Sequence, residues 1–125
     1  MTQNHDNLKK RTKEFALRVI RLATSLPPGK LSDVIQYQLL KSGTSVGANY
    51  RAACRAKSPK DFCHKMGTVE EEADESVYWM ELIVESGLMK AELVSELMNE
   101  GNELVAIAVS SINTSRQGEG RKLTD

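Results

Sequence analysis

Few residues in this chain are equipped for chemistry. It holds two histidines, His5 and His64, and two cysteines, Cys54 and Cys63. Asp61-x-x-His64 comes nearest to the Glu-x-x-His pair with which helical bundles hold two metal ions. That chemistry needs such a pair on two helices and further carboxylates, and the sequence has no Glu-x-x-His. Glu70-Glu71-Glu72 and Asp74-Glu75 are rich in carboxylate, but consecutive residues point around a helix in several directions. The run therefore reads as a solvated or interface-facing acidic surface. Ser45, Cys54 and Cys63 lack a His/Asp partner set for nucleophilic catalysis. Ser42-Gly43-Thr44-Ser45 resembles a phosphate loop by composition alone, and neither G-x-x-x-x-G-K-[ST] nor G-x-G-x-x-G occurs. The two cysteines form no metal-type or redox motif and are expected to be reduced. No catalytic residue, metal or cofactor is expected, and the chain reads as a non-enzyme.

Two polar groupings remain. Ser42, Ser45 and Asn49 lie along one helical seam, with Glu72 and Ser76 at the matching level of the next helix. Buried polar groups must be hydrogen-bonded. These five are expected to form a structural layer that sets helix register, with a ligand site as the alternative, and Arg51 can join them through Glu71 or Glu75, within the subunit or across an interface. The second grouping is basic: Lys10, Arg18, Arg21, Lys41, Arg51 and Arg55 are candidate contacts for nucleic-acid phosphates. Aromatics are only 5% of residues and the two Phe read as core, so base-stacking platforms are poorly supported.

The elements that place these residues centre on Gln38–Glu81, which reads as two helices folded at Lys57-Ser58-Pro59. Ser58 is an N-cap, Pro59 suits the first helical position, and Asp61 completes a capping box. Inward positions are Ile35, Leu39, Ser42, Val46, Asn49, Ala53 and Ala56, then Phe62, Met66, Val69, Ala73, Ser76, Met80 and Ile83. Folding at residue 59 pairs Ala56 with Phe62, Asn49 with Val69, Ser42 with Ser76 and Ile35 with Ile83. Before this unit, Leu8 to about Ser25 reads as a helix with the stripe Phe15, Val19, Leu22 and Leu26, ended by Pro27-Pro28-Gly29. Ser32 or Asp33 is expected to cap the second helix, which runs to about Lys57. Gly87 suits a left-handed helix end with Leu88 as hydrophobic follower. A fourth helix is expected from Ala91 to Thr114, with a wide stripe of Leu93, Leu97, Leu104, Ala108 and Ser111 and with Val94, Met98, Val105, Val109 and Ile112 alongside.

The fold class is thus all-α, an antiparallel up-down-up-down four-helix bundle over residues 7–115, with disordered ends at 1–6 and 116–125. No apolar run is long enough to cross a bilayer. The start, MTQNHDNLKKR, has no apolar h-region, so a cytoplasmic location is expected. The formal net charge is zero, yet residues 1–66 hold 13 Lys/Arg and 4 Asp/Glu, while 67–115 hold one Lys and 11 Asp/Glu. Such a split suits head-to-tail association into a ring. Gly43, Gly47, Ala48, Ala52, Ala53 and Ala56 leave the second helix with little bulk, for packing within the subunit or against another.

The motifs Ser42-Gly43-Thr44-Ser45-Val46-Gly47-Ala48-Asn49-Tyr50, Asp61-Phe62, Lys65 and Tyr78-Trp79 resemble those of the bacterial four-helix bundle proteins, also called 23S rRNA intervening-sequence proteins. The likeness covers about Phe15 to Ile112. Ala52-Ala53 stands where Glu-Ala is common, and Glu71-Glu72-Ala73 where Lys-Glu-Ala is common. The resemblance implies a homopentameric ring and no catalytic residues. It also implies a nucleic-acid role by way of a related retroelement accessory protein, which binds nucleic acid and a reverse transcriptase. The partners expected are copies of itself and RNA or DNA. The alternative is a structural or protein-binding adaptor with no nucleic-acid role, and neither reading involves a membrane.

Overall fold

The computed structural model describes the backbone of residues 2–124 and the side chains of residues 7–118. The described residues form four α-helices and one 3-10 turn, with no strand. They are α1 (Thr2–Thr24), α2 (Lys30–Cys54), α3 (Pro59–Glu85) and α4 (Ser95–Thr124), with the turn at Ala91–Leu93. The helical backbone continues through residues 2–6 and 116–124, where the sequence suggested disorder; most side chains of those stretches lie outside the described residues.

The α2–α3 connection follows the capping chemistry read from the sequence. Ser58 is the N-cap of α3, and its Oγ accepts from the Asp61 backbone N–H at 3.0 Å. The Asp61 carboxylate accepts in turn from the Lys57 backbone N–H at 3.0 Å and from Lys65 Nζ at 2.7 Å. α3 ends in a Schellman arrangement: Leu88 N–H donates to Ile83 O and Gly87 N–H to Val84 O. Gly87 has φ +82°, a conformation costly for any residue with a Cβ.

The start of α2 corrects the sequence reading. Neither Ser32 nor Asp33 is the cap. Gly29 is, at φ +152° and without a side-chain cap bond, and its carbonyl accepts from Asp33 N–H. With Pro27-Pro28 holding the chain extended, glycine provides the turn and the helix starts at once. Ser32 is then carried into the first turn and buried. The far end of α2 is also shorter than expected, at Cys54 in place of Lys57.

The core is aliphatic, with Phe15, Val19, Ile35, Leu39, Val46, Met66, Met80, Ile83 and Val94 among its most buried side chains. Several inward assignments shift. Asn49, Ala56 and Phe62 are only half-buried, while Tyr50 and Val77 are buried. Leu93 is 70% exposed, because it lies in the 3-10 turn and is out of phase with α4. Val94, just before α4, and Leu97, Gly101, Leu104, Ala108 and Ile112 within it face inward, and Ser111 is only half-buried.

Two of the small residues of α2 serve contacts inside the subunit. A Cβ on Gly43 would lie 2.6 Å from Val19 Cγ1, and one on Gly47 would lie 3.2 Å from Thr12 Oγ1. Both glycines let α1 sit close on α2. Gly101 plays the same part for α4, since its Cβ would lie 2.7 Å from Val77 Cγ2.

Candidate functional site

The close approach of α1 and α2 leaves a shallow groove of about 270 Å³ on the outer side. Lys9, Thr12, Lys13 and Ala16 line it from α1, and Thr44, Gly47, Ala48 and Arg51 from α2. The floor is small because Gly47, Ala48 and Ala16 have almost no side chain. The walls are cationic. Among the described residues none of Lys9, Lys13 and Arg51 has an ion-pair partner. The two threonine protons are already engaged: Thr12 Oγ1 donates to Leu8 O and Thr44 Oγ1 to Leu40 O. The groove therefore offers positive charge on a near-featureless floor.

The six basic residues proposed from sequence do not form one patch. Arg51 lines the groove, and Lys41 and Arg55 share its side of α2, at spacings of three and four through Thr44 and Ala48. Lys10 is exposed on α1. Arg18 and Arg21 lie apart, in a cavity of about 470 Å³ between α1 and the start of α4 that also holds Glu92 and Glu96. Lys9 and Lys13 join the groove without having been singled out. Their signal was the four-residue spacing that puts both on one face of α1.

The polar layer contracts to a pair. Ser42 and Ser76 are fully buried and share a hydrogen bond of 3.0 Å across the α2–α3 seam. Ser45 donates instead to Lys41 O and Asn49 to Ser45 O, both within α2. Glu72 is half-buried, and its backbone carbonyl accepts from Ser76 Oγ at 2.8 Å. Its burial, aided by Glu75, pushes the Glu72 carboxyl above its ordinary pKa, with Lys41 acting in the opposite direction. Arg51 is exposed on the groove side, and no ion pair joins it to Glu71 or Glu75 among the described residues.

Sequence reasoning missed a clasp between α1 and α4. Arg11 grips Glu100 through Nε and Nη2 at 2.7 and 2.8 Å and also reaches Glu103. The Arg11 hydrogen bond holds the Glu100 carboxyl below its usual range, against the opposing effect of burial. Beside the clasp lies a cavity of about 510 Å³, lined by residues that include Tyr50, Phe62, Ile107 and Ser111. Cys54 and Cys63 are free thiols. Among the described residues no three His, Cys, Asp or Glu side chains gather closely enough to hold a metal ion. No described helix is long and apolar enough to cross a membrane.

Residues 5–110 match the sequence profile of the 23S rRNA-intervening sequence protein. The chain belongs to that family. A crystal structure of a protein of unknown function from the S23 ribosomal protein family of Bacteroides thetaiotaomicron is similar in both sequence and fold. It shares 33% identity at a TM-score of 0.75, over 83% of this chain and 96% of that one. Among curated proteins no similar sequence is found. In this member of the 23S rRNA-intervening sequence family, the residues from Lys9 to Arg51 fall inside the matched region.

Proposed function

We propose that the protein is a non-enzymatic, oligomeric four-helix bundle, cytoplasmic, that contacts nucleic acid through its basic helices. Up-down-up-down antiparallel topology is supported by the order of contacts. Gln36 Nε2 donates to Ala23 O, while Gly43 meets Val19 and Gly47 meets Thr12, so α2 ascends as α1 descends. Ser42 with Ser76, and Cys63 Sγ with Ile112 O, continue the alternation.

The observation that carries the functional reading is a division of the surface between the two ends of this bundle. One half holds the exposed large hydrophobics other than Val109: Leu17, Ile20, Leu31, Val34, Tyr37, Tyr78 and Leu93. Glu81, Glu85, Glu92 and Glu96 lie in the same half. The other half holds Lys9, Lys10, Lys13, Arg51, Arg55, Lys57 and Lys60 against fewer carboxylates, Glu14, Asp61, Glu70 and Glu71 among them, while Arg18, Arg21, Lys30, Lys41 and Lys90 fall in the apolar half. Exposed apolar patches mark association surfaces, and a concentrated cationic surface favours polyanions. The apolar half is the subunit contact in a cyclic homo-oligomer, a pentamer as the resemblance implies, and the cationic half remains open to RNA or DNA.

The test is native mass with and without a short RNA, at low and moderate salt. An oligomer that takes up RNA and releases it as salt rises is the expected result. A monomer at micromolar concentration contradicts the assembly. An oligomer that ignores RNA at low salt favours the second reading, a protein-binding adaptor, for which the exposed Tyr37 and Tyr78 are the supporting observation.

A further inference from the structure

We infer that the α1–α2 groove is a phosphodiester-backbone track in which Lys9, Lys13 and Arg51 each contact a phosphate, with Arg55 continuing the line. This rests on the nucleic-acid reading above and assigns its contact surface. The groove is lined from α1 by Lys9, Thr12, Lys13 and Ala16. From α2 it is lined by Thr44, Gly47, Ala48 and Arg51, and Arg55 lies one turn further along the same face. None is a carboxylate, although the whole chain has as many acidic as basic residues. From Thr44 to Arg55 the helix rises about 16 Å, room for about five nucleotides of one stacked strand at ~3.4 Å each.

The chemistry of the groove selects a polyanion over a protein. Lysine is depleted in protein interfaces, and a floor of Ala16, Gly47 and Ala48 gives a partner little apolar area to bury. With the Thr12 and Thr44 protons held by their own helices, the charged groups supply the hydrogen bonds to the ligand. Contact is therefore with the backbone and independent of base sequence, since no aromatic side chain lines the groove for stacking. Arg18 and Arg21 are excluded from the track, because they face Glu92 and Glu96 on the α4 side.

The experiment measures affinity for a labelled single-stranded RNA, and for DNA of the same sequence, across a salt series. It compares the wild type, Lys9→Gln/Lys13→Gln/Arg51→Gln, and Arg18→Gln/Arg21→Gln, with the native mass of each. The triple variant is expected to keep its oligomeric mass and to bind at least about tenfold more weakly at low salt. Its log–log salt slope should be shallower by about 2, at ~0.7 per lost phosphate contact on a single strand. The Arg18/Arg21 variant is expected to stay near wild type. Single variants Lys13→Gln and Arg51→Gln give the same reading in smaller steps should the triple variant not fold. RNA and DNA binding equally would identify the bare backbone as the ligand, and a preference for RNA would add the 2′-hydroxyl. Wild-type protein that binds neither strand overturns the nucleic-acid reading and the track with it. Wild-type binding that the triple variant leaves unchanged, or that the Arg18/Arg21 variant weakens more, overturns the track alone. Dissociation of the triple variant would make the groove a subunit interface and likewise overturn it.

Discussion

Ser42 Oγ and Ser76 Oγ lie 3.0 Å apart in the seam between α2 and α3, and both residues are fully buried. Ser76 Oγ also lies 2.8 Å from Glu72 O, whereas Ser42 has only a 3.3 Å contact to Leu39 O besides its partner. The pair is thus unequal, with Ser42 the more dependent member. Ser76→Ala is expected to destabilise by about 1–2 kcal/mol, because it leaves a buried hydroxyl poorly satisfied. Ser42→Ala should cost less. The double variant should lose less than the sum of the two, and a double-mutant cycle of urea midpoints measures that coupling.

Gly43→Ala is expected to cost about 1–3 kcal/mol, since the new methyl would overlap Val19 and push α1 away. Adding Val19→Ala to that variant should recover part of the loss. Gly67 lies mid-helix in α3, and a methyl added there would meet nothing within 4 Å, so Gly67→Ala should stabilise by about 0.5–1 kcal/mol. Thermal unfolding of the three variants separates crowding from helix propensity.

Asn49→Ala should change stability by no more than about 0.5 kcal/mol. Its amide serves its own helix and is half-buried, so no second helix loses a partner. A loss of several times that size in a urea titration would show that Asn49 does join α2 to α3.

The Arg11 clasp makes stability depend on pH in the acid range. Glu100 has a folded pKa below its unfolded value, chiefly through the Arg11 hydrogen bond. Its contribution is therefore complete above the unfolded carboxylate pKa, about 4.3, and is lost as pH falls through the lower folded value. Glu72 acts with the opposite sign, because its folded pKa is raised by burial; it destabilises as pH rises through its unfolded value towards the folded one. Arg11→Met should flatten the acid limb of the stability–pH curve, and Glu72→Gln should raise stability near neutral pH. Urea midpoints across the acid range check both.

Val34→Asp with Tyr37→Glu should shift the native mass towards monomer while circular dichroism stays helical. Both side chains are more than half exposed, so the fold does not need them. An oligomer that survives both charges would place the subunit contact elsewhere on the molecule.

Much of this protein was determined locally. The Ser58-Pro59-x-Asp61 start, the Gly87-Leu88 stop and the stripes at spacings of three and four depend on neighbours in the chain, and they appear where the residues put them. The level of Ser42 against Ser76 followed from the same periodicity, because a hinge at residue 59 sets the register of two rigid helices. What depends on rotation about a helix axis was left to the tertiary structure. The 3-10 turn before α4 changed the phase of Leu93, and the packing of α1 on Gly43 and Gly47 turned Tyr50 inward and Asn49 to the edge. The charge split between the two halves of the chain is likewise visible in the residues. Only the folded arrangement decides which cations stand alone: it sets Arg18 and Arg21 facing carboxylates of α4, and brings Lys9, Lys13 and Arg51, 38 to 42 residues apart across the two helices, to one groove. Charge is a property of composition, but its neutralisation depends on distance, and distance between helices is set by what packs in the seam between them.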